Sequence, residues 1–144
     1  MRAVIDCSTA VKWEVNEQDS ARAMGVRDDC RRGLHELLAP DLFPIEVANA
    51  LYSAELRGDI LPGRFEHHLA EILRVGPVLY QSTSLLPRAS TIIRRAVGTR
   101  TGIYDCSYVA LAEREGCALI TSDRRLINAL QKDFPFITDL ATMP

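Results

Sequence analysis

Short apolar runs alternate along the chain with longer segments in which apolar residues recur at helical spacing. The apolar runs are AVI at residues 3–5, ELLAP ending at Pro40, PVLYQ at 77–81, ALIT at 118–121 and a weaker FPFIT near the C-terminus. Apolar runs of this length, with turn-forming residues beside them, are typical of buried strands. The pattern therefore predicts five strands, of which the last is the most weakly marked.

Amphipathic helices are predicted between these strands and after them, because five segments have apolar residues three or four positions apart. Three of these apolar faces are Val47, Ala50, Leu51 and Ala54 after Pro44; Phe65, Leu69, Ile72 and Leu73 after the turn LPG; and Ala89, Ile92, Ile93 and Ala96 before Gly98. The other two helices are IYDCSYVALAERE, which Gly116 closes, and RRLINALQ, which follows Asp123.

Strands that alternate with helices form βαβ units and hence a parallel sheet with helices on its faces. We therefore predict an α/β fold, a three-layer α/β/α sandwich with a mostly parallel central sheet. The 144 residues contain no internal repeat and no linker. This length fits a single domain that spans residues 1–144.

Four carboxylates are predicted to lie at one edge of this sheet. Asp6 ends the first apolar run and Asp123 follows ALIT, while Glu46 and Asp105 lie near the starts of two predicted helices. In open parallel sheets, the carboxyl ends of the strands and the helix starts that follow them share one edge, where ligands bind. The four acids are therefore expected to converge.

A structural role is open for Glu46 and Asp105 taken singly, because an acid near a helix N-terminus contributes about 0.3 to 1 kcal/mol of stability. Their helical neighbours favour an inward position. Glu46 shares a polar stripe with Asn49 and Ser53, and Asp105 shares its face with Tyr108, which is predicted to be packed.

A cluster of four ionised carboxylates requires compensating cations. Two unit charges 5 Å apart repel by roughly 3 kcal/mol at an effective dielectric of 20, and four in one cleft would cost on the order of 10 kcal/mol. No His or Cys belongs to this set of ligands, and oxygen ligands alone favour Mg²⁺ or Mn²⁺ over zinc. Such ions support the hydrolysis of phosphodiesters.

Composition and charge narrow the possible functions further. The chain is 47% hydrophobic and 25% charged, with a net charge of −2 and an isoelectric point near 5.9. These values argue against nucleic-acid binding through bulk positive charge and leave only local basic patches or bound cations. No apolar segment resembles a signal peptide or approaches the roughly 20 residues of a membrane span, so we expect a cytoplasmic protein. The four cysteines form no CxxC pair and are expected to be buried as thiols: Cys7, Cys30, Cys106 and Cys117.

Four segments of the chain resemble a known family. VIDCSTAVKWEV, APDLFPIEVANALYSAELRG, GIYDCSYVALAEREG and ALITSDRRL are similar, in this order between Ile5 and Leu126, to the four motifs of PIN-domain proteins. Within that family they resemble specifically the VapC-type toxins, the ribonucleases of type II toxin–antitoxin systems. Each motif is weak alone, but four acids in this order are specific.

The resemblance implies a metal-dependent endoribonuclease that uses Mg²⁺ or Mn²⁺. The acidic quartet, both as metal ligands and as catalytic residues, would be Asp6, Glu46, Asp105 and Asp123. Ser8 and Thr121 match the hydroxyl positions that accompany the first and last acids, either as metal or water contacts or, alternatively, in helix capping and strand packing. Cys7 and Cys106 depart from the smaller residues usual at their positions, and these thiols suggest sensitivity to oxidation.

The resemblance also implies partners. The substrate would be RNA, gripped in its single-stranded loops by basic residues near the acids, for which the candidates are Lys12, Arg100, Arg124 and Arg125; surface charge alone is the alternative for each. Trp13 could stack on a base or lie in the core. A homodimer and a cognate VapB-like antitoxin are expected, with DNA bound only through the antitoxin and no membrane association.

Two other functions are open at this stage. Asp6 could be the nucleophile of a phosphatase of the haloacid-dehalogenase type, although such enzymes have a second Asp where this chain has Ser8. The chain could instead be a non-catalytic PIN-like module that binds RNA or protein, although all four acids are present. A dinucleotide-binding domain is disfavoured because DCSTAVKW contains no glycine.

Overall fold

Five parallel strands form the centre of the molecule, in the order β3-β2-β1-β4-β5. The computed structural model describes residues 1–144. The strands are β1 (Arg2–Ile5), β2 (Glu36–Pro40), β3 (Val78–Tyr80), β4 (Ala118–Thr121) and β5 (Ile137–Asp139). Strand β1 is central: Val4 pairs with Leu38 of β2 on one side and with Leu119 of β4 on the other.

The central strands are apolar after their exposed first residues, Arg2 in β1 and Glu36 in β2, because helices cover both faces of the sheet. Ala3, Val4 and Ile5 are fully buried, as are Leu38 and Leu119. Alternation of polar and apolar residues is lost in such strands. The one acid that follows β1 therefore marks the point where the chain leaves the sheet.

Seven helices surround the sheet. They are α1 (Cys7–Ala10), α2 (Ser20–Arg31), α3 (Phe43–Arg57), α4 (Phe65–Arg74), α5 (Leu86–Ile92), α6 (Ile103–Glu115) and α7 (Arg124–Leu130). Helix α3 packs on α1 and α4, whereas α5 packs on α6, and α7 packs on the 3₁₀ turn that follows α5. Since parallel crossovers are right-handed, the two sets lie on opposite faces of the sheet. The predicted three-layer sandwich is confirmed.

The strand predictions match the structure closely, and ELLAP and ALIT match β2 and β4 at both ends. Strand β5 begins at Ile137, so the two phenylalanines of FPFIT precede it. The third predicted helix is divided, because a 3₁₀ turn replaces the α-helix from Ile93 to Ala96. In α4 only Ile72 of the predicted apolar face is buried.

Helix α2 has no counterpart among the sequence predictions. Its twelve residues, SARAMGVRDDCR, contain few large apolar side chains, and only Ser20, Ala23 and Val26 are buried. An apolar face this narrow gives a weak periodic signal. None of the helices in the structure is long and apolar enough to cross a membrane.

Candidate active site

Asp6 lies at the carboxyl end of the central strand and is held by three hydrogen bonds. Its Oδ1 atom accepts from the Ser8 hydroxyl at 2.6 Å and from the Thr9 backbone N–H at 3.1 Å, and its Oδ2 atom accepts from the Thr121 hydroxyl. Asp6 is therefore the N-cap of α1. Capping by Ser8, one of its two predicted roles, is wrong because the carboxylate occupies the cap position and Ser8 supports it.

Thr121 links the first acid to the last. Its hydroxyl donates to Asp6 and accepts from the Asp123 backbone N–H at 3.1 Å. The Ser8 hydroxyl lies 3.3 Å from the Thr121 hydroxyl and accepts from the Ser122 backbone N–H at 3.0 Å. Two hydroxyl groups thus tie the end of β1 to the end of β4.

Glu46 projects from the first turn of α3 toward the same edge. Its Oε1 atom is buried and has no hydrogen-bond partner. Burial raises the pKa of Glu46 to about 7; the nearby Tyr108 hydroxyl opposes this rise, and the charges of Asp105 and Asp6 add to it. An unpartnered buried carboxylate oxygen is costly, so a bound cation or a hydrogen bond from the facing Tyr108 hydroxyl would stabilise it.

Asp105 and Asp123 each keep one oxygen outside the hydrogen bonds of the chain. Asp105 Oδ2 accepts from the Gly102 N–H at 2.9 Å at the start of α6. Asp123 caps α7, since its Oδ1 atom accepts from the Arg125 N–H at 2.9 Å. The second oxygens of these two carboxylates make no hydrogen bond within the chain and are available to a ligand.

Besides Glu46, two of the acids have a raised pKa: Asp6 and Asp105. Burial raises the pKa of Asp6 to about 6, against the hydrogen bonds from Ser8, Thr121 and Thr9, and the charge of Asp123 raises it further. Burial also raises the pKa of Asp105, with the Gly102 N–H opposing and the charge of Asp123 adding. Strand ends and helix starts thus bring the four predicted acids to one edge of the sheet.

The acids do not form a closed metal site in this structure. No group of three or more His, Cys, Asp or Glu side chains is placed to hold one ion. Their donor set nevertheless fits a hard cation: every donor is an oxygen, and the Glu46 oxygen is buried and unpartnered. The quartet remains a prediction as a set of metal ligands.

The predicted RNA contacts differ in their surroundings. Lys12 Nζ lies 3.3 Å from Glu17 Oε1, and Arg124 forms an ion pair with Asp139. We call the sheet edge that carries Asp6, Glu46, Asp105 and Asp123 the acidic edge. The Arg125 guanidinium lies 3.6 Å from Asp123 Oδ1, so Arg125 belongs to this edge. Arg100 is exposed.

Trp13 is a core residue. It is 5% exposed, and its indole N–H donates to the Ala23 carbonyl at 2.8 Å. Stacking of Trp13 on a base, the alternative at the sequence level, is therefore wrong, because the ring is covered and its only donor is used.

The cysteines are free thiols, as expected, but only Cys106 is fully buried. The prediction of burial is wrong for the other three, which are half-buried: Cys7, Cys30 and Cys117. Burial raises the pKa of Cys7 far above its usual range and that of Cys106 to about 11, and nearby acids add to both. Since the thiolate is the form that reacts, these environments disfavour oxidation at neutral pH. Sensitivity to oxidation is not favoured at either position.

Sequence reasoning predicted Tyr108 to be packed but missed that its hydroxyl faces the acids. The residue is 2% exposed, and its hydroxyl has no hydrogen-bond partner. Burial raises the pKa of Tyr108, and the charges of Glu46 and Asp6 add to this rise, so Tyr108 stays a neutral donor. Its position three residues after Asp105, on the same helical face, was the only available signal.

Comparison with known proteins decides the family. The family model described as PIN domain matches residues 3–131. The chain belongs to the PIN-domain family. The fold described above is thus the fold of a PIN domain.

Among curated proteins, this PIN domain is similar to ribonuclease VapC3 of Pyrobaculum aerophilum. The two are 31% identical over 128 residues, which cover 88% of this chain and 92% of that protein. The predicted likeness to VapC-type proteins is confirmed.

Two solved structures share the fold. PAE2754 from Pyrobaculum aerophilum superimposes with a TM-score of 0.64 at 23% identity, over 99% of this chain and 94% of that one. FitAcB from Neisseria gonorrhoeae superimposes with a TM-score of 0.54 at 14% identity, over 88% of this chain and 91% of that one. The PIN domain thus has the same architecture as both.

Proposed function

We propose that this PIN domain is a metal-dependent endoribonuclease, the toxin of a VapBC-type pair, that cleaves single-stranded RNA. The observation that supports this most directly is the buried, unpartnered Oε1 atom of Glu46 among three further carboxylates. The similarity to ribonuclease VapC3 supplies the substrate class.

The proposed cofactor is Mg²⁺ or Mn²⁺, held by Asp6, Asp105 and Asp123 with Glu46 completing the set. Held by these carboxylates, such an ion would supply Lewis-acid chemistry, which lowers the pKa of a bound water and offsets negative charge at a phosphate.

Glu46 is proposed as the proton acceptor for the attacking water. With a pKa of about 7, its carboxylate is partly deprotonated at neutral pH, which suits a general base. The Tyr108 hydroxyl, which faces this carboxylate, would orient it as a hydrogen-bond donor. Ser8 and Thr121 hold both oxygens of Asp6, so Asp6 is a fixed ligand rather than a free nucleophile.

The proposal is tested by incubating labelled total RNA with the purified protein in Mg²⁺, Mn²⁺ or EDTA. Discrete fragments are expected only with a divalent ion. Asp6→Asn, Glu46→Gln and Asp105→Asn should each lower the cleavage rate by at least about 100-fold, a loss typical of removing a group that stabilises the transition state.

Asp133→Asn is the matched control, because this carboxylate is exposed and lies outside the acidic edge. It should cleave at the wild-type rate. Intact RNA with every metal, or unchanged cleavage by Asp6→Asn, would contradict the proposal.

We also propose a homodimer and a VapB-like antitoxin in the cytoplasm, with DNA binding left to the antitoxin. Exposed apolar side chains on α3 support a protein partner: Ile45 is 74% exposed, Tyr52 45% and Leu56 69%. These positions share one face of the helix, and contiguous exposed apolar surface is typical of interaction sites. Light scattering of the protein alone should give about twice the monomer mass of 16.0 kDa.

A further inference from the structure

Lys12 is an almost buried cation with an incomplete set of partners. It lies in the 3₁₀ turn that follows α1, and its side chain is only 11% exposed. Its single ionic contact is Glu17 Oε1 at 3.3 Å, and the Glu17 side chain is 45% exposed. An ammonium group offers three donors, so Lys12 has capacity for a further anionic ligand.

Two clefts meet at Lys12, beside the acids. The first, of about 270 Å³, is lined by Ser8, Lys12, Ser122, Ser53 and Arg57 together with apolar side chains and Glu17. The second, of about 220 Å³, shares Lys12 and Ser122 with the first and continues toward Arg124. Because Ser8 donates to Asp6 and Ser122 precedes Asp123, the first cleft opens directly beside the acidic edge.

Charge distinguishes the two clefts. The second has as many acidic as basic side chains, and Arg124 there is already paired with Asp139. The first has Lys12 and Arg57 against Glu17 alone. Arg57 also contacts Asp59 at 3.0 Å, but that pair is exposed to solvent and therefore weak. A polyanion is better accommodated in the first cleft.

The first cleft follows one side of α3 away from Glu46. Ser53 is seven residues beyond Glu46 and Arg57 is four residues further, which keeps all three on one side of the helix. At 1.5 Å per residue, Glu46 and Arg57 are separated by about 16 Å along the axis. This span exceeds one phosphate group and suits an extended strand.

We infer that the first cleft binds the backbone of single-stranded RNA next to the cleaved bond, with Lys12 as a phosphate ligand and Glu17 as its intramolecular competitor. This inference rests on the proposed ribonuclease function and assigns the strand a path along α3. Arg57 grips the far end of that path, and Arg124 does not take part.

The Lys12–Glu17 ion pair allows a test that separates a structural role from phosphate binding, because the charge of either residue can be removed by substitution. If the Lys12–Glu17 pair were only structural, Lys12→Met and Glu17→Gln would act in the same direction. If Lys12 binds phosphate, Lys12→Met weakens RNA binding and Glu17→Gln strengthens it. Methionine keeps the apolar stem of the buried lysine, which limits any loss of folding.

The experiment measures the anisotropy of a fluorescein-labelled 12-nucleotide RNA of mixed sequence over a range of salt concentrations. The Asp6→Asn protein is used as the background, so that the RNA stays intact. Lys12→Met should weaken binding about tenfold and reduce the slope of log K against log salt by about 0.7, the value for one phosphate contact on a single strand.

Glu17→Gln should tighten binding about threefold, by the loss of the competing charge. Lys132→Met is the matched control, since Lys132 is exposed and lines neither cleft. It should bind as the background does.

Binding and salt slope unchanged by Lys12→Met, weaker binding by Glu17→Gln, or no RNA binding by the background would each overturn the inference. Failure of the proposed function looks different: the wild type would leave RNA intact with every metal while Lys12-dependent binding persisted. In that case the cleft would be an RNA-binding groove without hydrolysis.

Discussion

Glu46 is the residue whose protonation is most revealing, because no hydrogen bond satisfies its buried oxygen. Its pKa of about 7 exceeds its ordinary value of 4.5. The folded protein therefore binds this proton more tightly than the unfolded chain, and folding stability falls as pH rises from about 4.5 to 7. The whole contribution is present below pH 4.5 and lost above pH 7.

Glu46→Gln should remove this dependence, since glutamine has no proton to lose. In EDTA, the wild type should lose on the order of 2 to 3 kcal/mol more than Glu46→Gln between pH 4.5 and 8, because solvent screening of this partly exposed carboxyl group reduces the full value of about 1.4 kcal/mol per pKa unit. Urea unfolding of both proteins at the two pH values measures the difference, and titrating groups that do not interact with Glu46 cancel in the comparison. Identical pH dependence in both would show that Glu46 ionises normally.

The elements that matter most to the site are the ends of β1 and β4. The two strands are adjacent in the sheet. Beyond their paired backbones, the hydroxyls of Ser8 and Thr121 lie 3.3 Å apart and link the two strand ends. The position of Asp6 relative to Asp123 therefore depends on these hydroxyls as well as on the strand register.

Thr121→Val tests this link, because valine has nearly the same shape but cannot donate to Asp6 or accept from the Asp123 N–H. We expect RNA cleavage to fall about 10- to 100-fold through kcat, with little change in KM. Loss of the hydrogen bond from Thr121 should also raise the pKa of Asp6, which moves the acidic limb of the rate–pH profile to higher pH.

Thr121→Ser is the matched variant and should recover most of the activity, because it restores the hydroxyl. Because serine keeps the hydroxyl and valine keeps the methyl group, equal losses in the two variants would contradict an effect specific to the hydrogen bonds.

Among the secondary-structure elements, the strands were predictable from the sequence and helix α2 was not. The β1 and β4 segments are continuous apolar runs, so burial on both faces fixed their positions. Helix α2 is mostly polar, and its short apolar side chains left little periodic signal. The positions of Asp6 and Asp123 followed from the strand ends, but the hydroxyl network between them depends on side-chain orientations that no sequence pattern encodes.

For the whole molecule, the acidic edge is a local concentration of negative charge in a chain whose net charge is only −2. Three of its four carboxylates have a raised pKa, chiefly because of burial. A divalent ion that binds only the folded state would offset this negative charge and stabilise the protein by mass action.

We therefore expect Mg²⁺ to raise the midpoint of thermal unfolding by several degrees at pH 8. At 100 times its dissociation constant, a ligand adds about 2.7 kcal/mol. The Asp105→Asn variant should show a much smaller shift. Scanning fluorimetry with MgCl₂, and with KCl at equal ionic strength to account for screening, measures the effect. Equal shifts in both salts would mean that no specific site exists.

The strand order has a further consequence, for the timing of synthesis. The hydrogen bond from Thr121 to Asp6 joins residues 115 positions apart. At about 5 to 20 residues per second, the ribosome releases β1, β2 and β3 seconds before β4 follows. Throughout that interval the carboxyl end of β1 lacks β4 beside it, and Asp6 lacks the hydrogen bond from the Thr121 hydroxyl. A nascent chain therefore has no complete acidic edge until β4 has left the ribosome. A chain truncated before β4 never forms one.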